Sequence, residues 1–470
     1  MTSLFNMGST AVKQLSKETD SEAHKLLRRY IDDQKSTEED GPVIPGILHP
    51  GATGVTYCTD RAIANGFSTG DQEWANLGQG APEVGPLPEG PPRPQTIDLT
   101  LWGDDVNEYG PTTGIKELRE AVAKLYNEEY RQGKESQYTY ENVCITPGGR
   151  AGMARLAAVI GDVYCGYQIP EYTTYSEVLS VFKRLIPIPT ALDAKDKYKL
   201  NLDQLKREIK NLNLSVVIAS NPRNPTGQCI SGDELKDLVH LSKEESTTVI
   251  LDEFYSWYQY PDDPKDLGTS LSGAEFVENV NEDPVILING LTKGFRLPGW
   301  RVCWVVGPKN VVSAISQSGS FLDGGASHVL QKAAVPLLNF DRVQQDKISL
   351  QKAFRIKRDH VLSRLEKMGL KVSIPPTATF YIWLDLSGLD SPLNNGLTFF
   401  EELLKEKTIC VPGIFFDINP SHRRNLFHSP CHHFVRLSFG PKLSELDRGL
   451  DSIERLLKKY KDTPHLLGTE

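Results

Sequence analysis

From about residue 105 to residue 336 the chain alternates short apolar runs with longer stretches whose apolar residues recur three and four positions apart. Val143 to Thr146, Val216 to Ala219, Thr248 to Leu251, Val285 to Ile288 and Val302 to Val306 are apolar almost throughout. Runs this short and continuous predict strands buried on both faces. Thr113 to Gln132 places Ile115, Leu118, Val122 and Leu125 on one helical face. Strands separated by amphipathic helices predict an α/β fold with a largely parallel sheet covered on both faces. The ligand site of such a sheet lies beyond the carboxyl ends of its strands. Thr146, Asp252 and Lys293 all fall there in this reading.

The flanks are patterned differently. A long helix from about Val343 to Met368 leads to a smaller α/β layer, with strands over Phe380 to Leu386 and Phe434 to Phe439 and a final helix near Leu450 to Tyr460. Residues 1–45 are polar and charged, with one short helical stretch from Ala23 to Ile31 and a charged linker from Asp32 to Gly41. From Pro42 to about Leu101 glycine and proline dominate, which predicts an extended arm wrapping something, a partner subunit among the possibilities. The expected division is an extension (1–45), an arm that begins the small domain (46–104), a large domain (105–336) and a C-terminal small domain (337–470).

Composition narrows the function. At 470 residues the chain is too long for one simple core. Its 61 acidic and 52 basic residues give a formal net charge of −9, so no basic field is offered to nucleic acid. No apolar run approaches a membrane span. Residues 1–20 mix Lys13, Lys17, Glu18 and Asp20 with serines and threonines, unlike a signal or transit peptide. Seven cysteines, at 58, 144, 165, 229, 303, 410 and 431, are odd in number and show no repeat spacing, which predicts reduced thiols and a cytoplasmic protein. His428, Cys431, His432 and His433 lack a second pair at ligand spacing, so no metal is expected.

The most informative stretch is Gly290-Leu291-Thr292-Lys293-Gly294-Phe295-Arg296-Leu297-Pro298-Gly299-Trp300-Arg301. Here a lysine stands on a loop between two buried strands, eight residues before an arginine. Such a lysine can bond covalently to a carbonyl while the guanidinium grips a phosphate. Pyridoxal 5′-phosphate offers both groups on one ring. Three further motifs accompany it in chain order. Asn221-Pro222-Arg223-Asn224-Pro225-Thr226-Gly227 follows one strand, Asp252-Glu253-Phe254-Tyr255 ends another, and Arg436 interrupts the apolar run Phe434 to Phe439. Alone, Asp252 reads as a strand-end carboxylate at a turn, whereas Arg436 reads as a candidate carboxylate receptor, with half of a structural ion pair as the alternative.

In identity, order and spacing these motifs resemble the class I/II aminotransferases, the fold type I enzymes that use pyridoxal phosphate, over about residues 75 to 445. The resemblance implies a mostly parallel sheet of the seven-stranded type, a smaller α/β domain and an N-terminal arm. It implies that Lys293 forms the Schiff base and then moves the substrate α-proton, that Asp252 pairs with the pyridine nitrogen, and that Tyr255 and Asn224 donate to the ring's phenolic oxygen. Gly149, Arg150 and Ala151 at a helix start, with Thr292 and Arg301, would hold the phosphate. Glycines admit the anion and helix N–H groups receive it. Tyr172 would stack on the ring, and Tyr109 would reach the phosphate of the neighbouring subunit, making the active sites shared in a homodimer. Arg436 would grip the substrate α-carboxylate as a bidentate fork, with Asn224 and Gly80 beside it.

One departure concerns phosphate affinity. Many relatives carry serine three residues before the lysine, where this chain has Gly290 and offers Thr292 instead. Asp323-Gly324-Gly325, before a helix starting near Ser327, can face the partner's site in relatives, and Arg423-Arg424 reads as a solvated loop. The expected function is transfer of the amino group of an L-amino acid to a 2-oxo acid. The alternative is another pyridoxal-phosphate reaction on an amino acid: elimination or cyclisation resembling 1-aminocyclopropane-1-carboxylate synthase, substitution or oxidation. A binding domain without catalysis is disfavoured, because the lysine, aspartate and arginines are all present.

Overall fold

The computed structural model describes residues 25–28, 54–182 and 184–462. Of the expected N-terminal helix only 25–28 fall in that range, and they are helical; the charged linker and the first twenty residues lie outside the described residues.

Twelve strands are formed among the described residues: β1 (Ala75–Asn76), β2 (Val143–Thr146), β3 (Val163–Ile169), β4 (Leu185–Ala191), β5 (Leu214–Ser220), β6 (Thr248–Asp252), β7 (Val285–Gly290), β8 (Cys303–Val306), β9 (Tyr381–Asp385), β10 (Thr408–Ile409), β11 (Val411–Pro412) and β12 (Phe434–Ser438). Seven make one sheet in the order β2-β8-β7-β6-β5-β3-β4. Only β8 runs against its neighbours, and the pairs β7-β6-β5-β3-β4 are all parallel. The register sets Ser220 beside Asp252 and Asp252 beside Ile288. Because β8 is reversed, its first residue, Cys303, lies opposite both Thr146, the last of β2, and Gly290, the last of β7. The carboxyl ends of six strands and the amino end of the seventh therefore meet at one edge.

The apolar runs are as buried as their continuity predicted, β2, β5 and β8 almost completely. The helix expected over Thr113 to Gln132 is Lys116–Tyr130 and buries Leu118, Val122 and Leu125. It starts late because Ile115 is extended, at φ −62° and ψ 143°. The final helix, Leu443–Asp462, begins earlier than its apolar pattern suggested. Gly449 interrupts that pattern but serves a close approach: a Cβ there would lie 2.6 Å from Leu77 Cδ1.

A three-stranded antiparallel sheet, β11-β12-β9, puts Arg436 opposite Val411 and Trp383. The early strand β1 pairs with β10, so the chain before the large sheet joins the chain after it. The proline-rich arm lies on this chain's own lysine loop. Arg93 donates to Phe295 O and Arg296 O, while Arg296 donates to Glu83 O and Gly85 O.

Candidate active site

At the strand-end edge a cavity of about 410 Å³ opens, a volume typical of small-molecule sites. Lys293 lies at its floor. The loop carrying it is fixed by Leu291 N–H to Val302 O, by Leu297 N–H to Leu291 O, and by the Tyr258 hydroxyl, which donates to Lys293 O at 2.7 Å. The amine Nζ donates to Gly80 O. Burial first, and then the Arg436 charge, lower the lysine to about 8, against the opposing pull of Asp252. An amine so placed is readily freed of its proton, as a nucleophile or base requires.

Asp252 ends β6 and is almost wholly buried. The Tyr175 hydroxyl donates to its Oδ2 at 2.9 Å, while its Oδ1 has only a long contact to Phe254 N, at 3.5 Å. Burial raises this carboxyl to about 6. A carboxylate held under such desolvation, with one oxygen scarcely used, suits a cationic ring N–H arriving in the cavity.

Tyr255 shares a hydrogen bond of 2.6 Å with the Tyr381 hydroxyl. Arg436, 1% exposed, donates through Nη1 to Asn224 Oδ1 at 2.9 Å and through Nη2 to Gly78 O at 2.6 Å. Its guanidinium lies 4.1 Å from the centre of the Tyr381 ring. With Oδ1 engaged, Asn224 has its Nδ2 hydrogens left to donate. Gly80 is needed without a side chain, since a Cβ would fall 2.8 Å from the Tyr381 hydroxyl.

At the other end of the cavity the helix Gly149–Val159 presents its N-terminus. The first N–H groups of a helix have no partner within it. Gly148 has φ 108°, and a Cβ on it would lie 1.9 Å from Arg301 Nη2. A Cβ on Gly149 would overlap the Phe254 ring at 2.4 Å. These contacts leave a cradle of backbone N–H groups flanked by Arg150 and Arg301, which matches a phosphate in charge and geometry. The hydroxyl of Thr292 lies 3.2 Å from Cys303 Sγ. Tyr172 is half-buried over the cavity, its ring edge-on to Tyr175 at 5.6 Å, and its hydroxyl accepts from Arg150 at 3.4 Å.

Gly80, Gly149, Arg150, Tyr172, Asn224, Asp252, Tyr255, Thr292, Lys293, Arg301 and Arg436 all line this one cavity. Ala151 sits in the helix's first turn but does not line it, and Tyr109 is 97% exposed and away from it. Tyr381, Tyr175, Phe254 and Ser220 also line the cavity, and sequence reasoning had not singled them out. His432 and His433 turn their rings to the carbonyls of Phe427 and Asn394. Among the described residues no cluster of three metal-ligating side chains is found, nor any helix long and apolar enough to cross a membrane.

Comparison with known proteins gives the family and the fold. A family model described as aminotransferase class I and II matches residues 72–453. The aspartate aminotransferase of Thermotoga maritima is 27% identical over 386 residues, 81% of this chain and 91% of that protein. A probable N-acetyl-LL-diaminopimelate aminotransferase of Bacillus subtilis is 28% identical over 374 residues, covering 76% and 84%. Among solved structures, the aspartate aminotransferase of Thermus thermophilus with maleate superposes with a TM-score of 0.71 at 21% identity, covering 88% of this chain and all of that one.

Proposed function

This chain belongs to the class I and II aminotransferase family, and from that premise we propose that its cavity binds pyridoxal 5′-phosphate and an amino acid substrate together. The observation that carries this is Lys293: a half-buried amine, lowered to about 8, in one cavity with a buried carboxylate and a buried guanidinium. Bound there, the cofactor supplies an aldehyde that captures amines and a ring that accepts the electrons of a broken C–H bond.

The protein's own residues do the rest. Lys293 Nζ would hold the cofactor at its aldehyde and, when free, would take the proton from the substrate α-carbon. Asp252 holds the ring nitrogen protonated. The hydroxyl of Tyr255 and Nδ2 of Asn224 donate to the phenolic oxygen, and the face of Tyr172 packs on the ring. The N–H groups of Gly149, Arg150 and Ala151, with Thr292 and Arg301, receive the phosphate. Arg436 takes the α-carboxylate, beside Asn224 and Gly80. The amino group of an L-amino acid so passes to a 2-oxo acid. Its relatives' names make aspartate the first donor to try.

Tyr109, so exposed in one chain, is assigned to the phosphate of the partner subunit, which makes the working unit a homodimer with shared sites. The pairing of β1 with β10 supports grouping arm 46–104 with 337–470 around the large domain 105–336. All seven cysteines are free thiols and six are buried, which supports a cytoplasmic setting.

The test is absorbance of the purified chain, before and after a panel of amino acids without any oxo acid. A visible band that one donor bleaches is the expected result. A band that returns unchanged while product forms would mean elimination or cyclisation. Lys293→Ala is expected to abolish turnover and to leave the cofactor removable by dialysis. Near-full activity in that variant would remove Lys293 from the chemistry.

A further inference from the structure

Gly290 and Cys303 face each other where β7 ends and β8 begins. The strands pinch there. A Cβ on Gly290 would lie 2.5 Å from Cys303 Cα and 2.6 Å from its Sγ, so position 290 is barred to any side chain and the thiol holds the space. The thiol is sealed from water and lies behind the phosphate cradle, touching Thr292. Its sulphur is 3.2 Å from Thr292 Oγ1.

We propose that Cys303 is a positioning residue for phosphate binding: its S–H donates to Thr292 Oγ1 and so turns the threonine's own hydrogen toward a phosphate oxygen. This rests on the phosphate site proposed above. Burial pushes the thiol up to about 11, so at neutral pH the sulphur keeps its hydrogen and sets no negative charge beside the phosphate. Thr292 Oγ1 lies 3.2 Å from the sulphur, an acceptor in reach of the S–H. A hydroxyl has one hydrogen to give. Accepting from sulphur commits Thr292 to donating outward into the cavity. A thiol is a weak donor, so its effect is on orientation more than on strength.

The test is the dissociation constant of pyridoxal 5′-phosphate for the full chain, with pyridoxal, which lacks the phosphate, alongside. Cys303→Ala is expected to weaken pyridoxal 5′-phosphate about fivefold to tenfold and to leave pyridoxal unchanged. Cys303→Ser, which keeps a donor, should retain affinity, and Cys303→Ala should cost nothing further in a Thr292→Val background. An equal loss with pyridoxal, or additive losses in the double variant, would overturn the positioning role. A native chain that does not bind pyridoxal 5′-phosphate would overturn the phosphate site itself and this inference with it. Should Cys303→Ala fail to fold, the infrared S–H band decides. A band that shifts to the free-thiol frequency in Thr292→Val supports the bond, and an unmoved band overturns it.

Discussion

Arg155 and Arg436 are both sealed from water, one in the helix Gly149–Val159 and the other lining the cavity beside Asn224. Arg155 is answered in full. Its Nε and Nη2 donate to the two oxygens of Asp323 at 2.9 and 2.5 Å, and its Nη1 donates to Thr112 O. The helix Lys309–Leu322 packs directly on this pair, since a Cβ on Gly319 would lie 2.3 Å from Arg155 Cζ. Arg436 has only neutral partners, the Asn224 amide oxygen, the Gly78 carbonyl and the Tyr381 ring, and its Nε has none among the described residues. Burying an ion without a counter-charge costs several kcal/mol. The contrast separates a guanidinium answered by a carboxylate from one with no counter-charge, the one proposed above to take an anion.

Substitution should expose that difference. Arg436→Met is expected to lower kcat/KM for amino acids about a thousandfold. The urea midpoint of the cofactor-free protein should stay level or rise, because an uncompensated buried charge has gone. A large stability loss with unchanged kcat/KM would make Arg436 a second Arg155. The converse variant, Arg155→Met, leaves Asp323 without its cation and should cost roughly 3 kcal/mol of stability, read from urea denaturation. Activity per folded molecule should hold. If activity falls and stability does not, the comparison is inverted.

The two arginines also differ in how far sequence reveals them. Arg436 stands out because a charge interrupts an apolar strand. Arg155 sits in a helix where an arginine reads as a solvated residue, and its partner is 168 positions away. The same division runs through the site. Lys293, Asp252 and Asn224 follow apolar runs that mark strand ends, so their place at one edge could be read locally. Tyr381 opens β9 with no motif around it, and its place between Tyr255 and Arg436 depends on how one sheet packs over the other. Cys303 was legible only as a strand residue. Its role needs the reversed direction of β8, which no local pattern encodes.

Lys293 is a half-buried cation lining the same cavity as Arg436, and its behaviour with pH gives the smallest but most specific test. Its proton is held less tightly in the folded chain, at about 8 against an ordinary 10.5, through burial and then through Arg436. Below pH 8 both folded and unfolded chains carry the proton, and the folded one bears the cost of a charge drawn partly out of water. Between pH 8 and 10.5 the folded chain has lost the proton while the unfolded chain still holds it, so stability rises with pH across that window. Lys293→Met removes the group. The cofactor-free variant should therefore be more stable than its parent at pH 7 by roughly 2–3 kcal/mol, and the advantage should fade as pH climbs through the window. Urea midpoints at pH 7 and pH 10 measure it, and a gain independent of pH would mean that packing, not charge, is responsible. Because Arg436 is the second cause of the lowering, Arg436→Met should move the onset of that fading to higher pH. An onset that stays put would mean that the Arg436 charge is screened from the lysine, and hence from the anion it is proposed to receive.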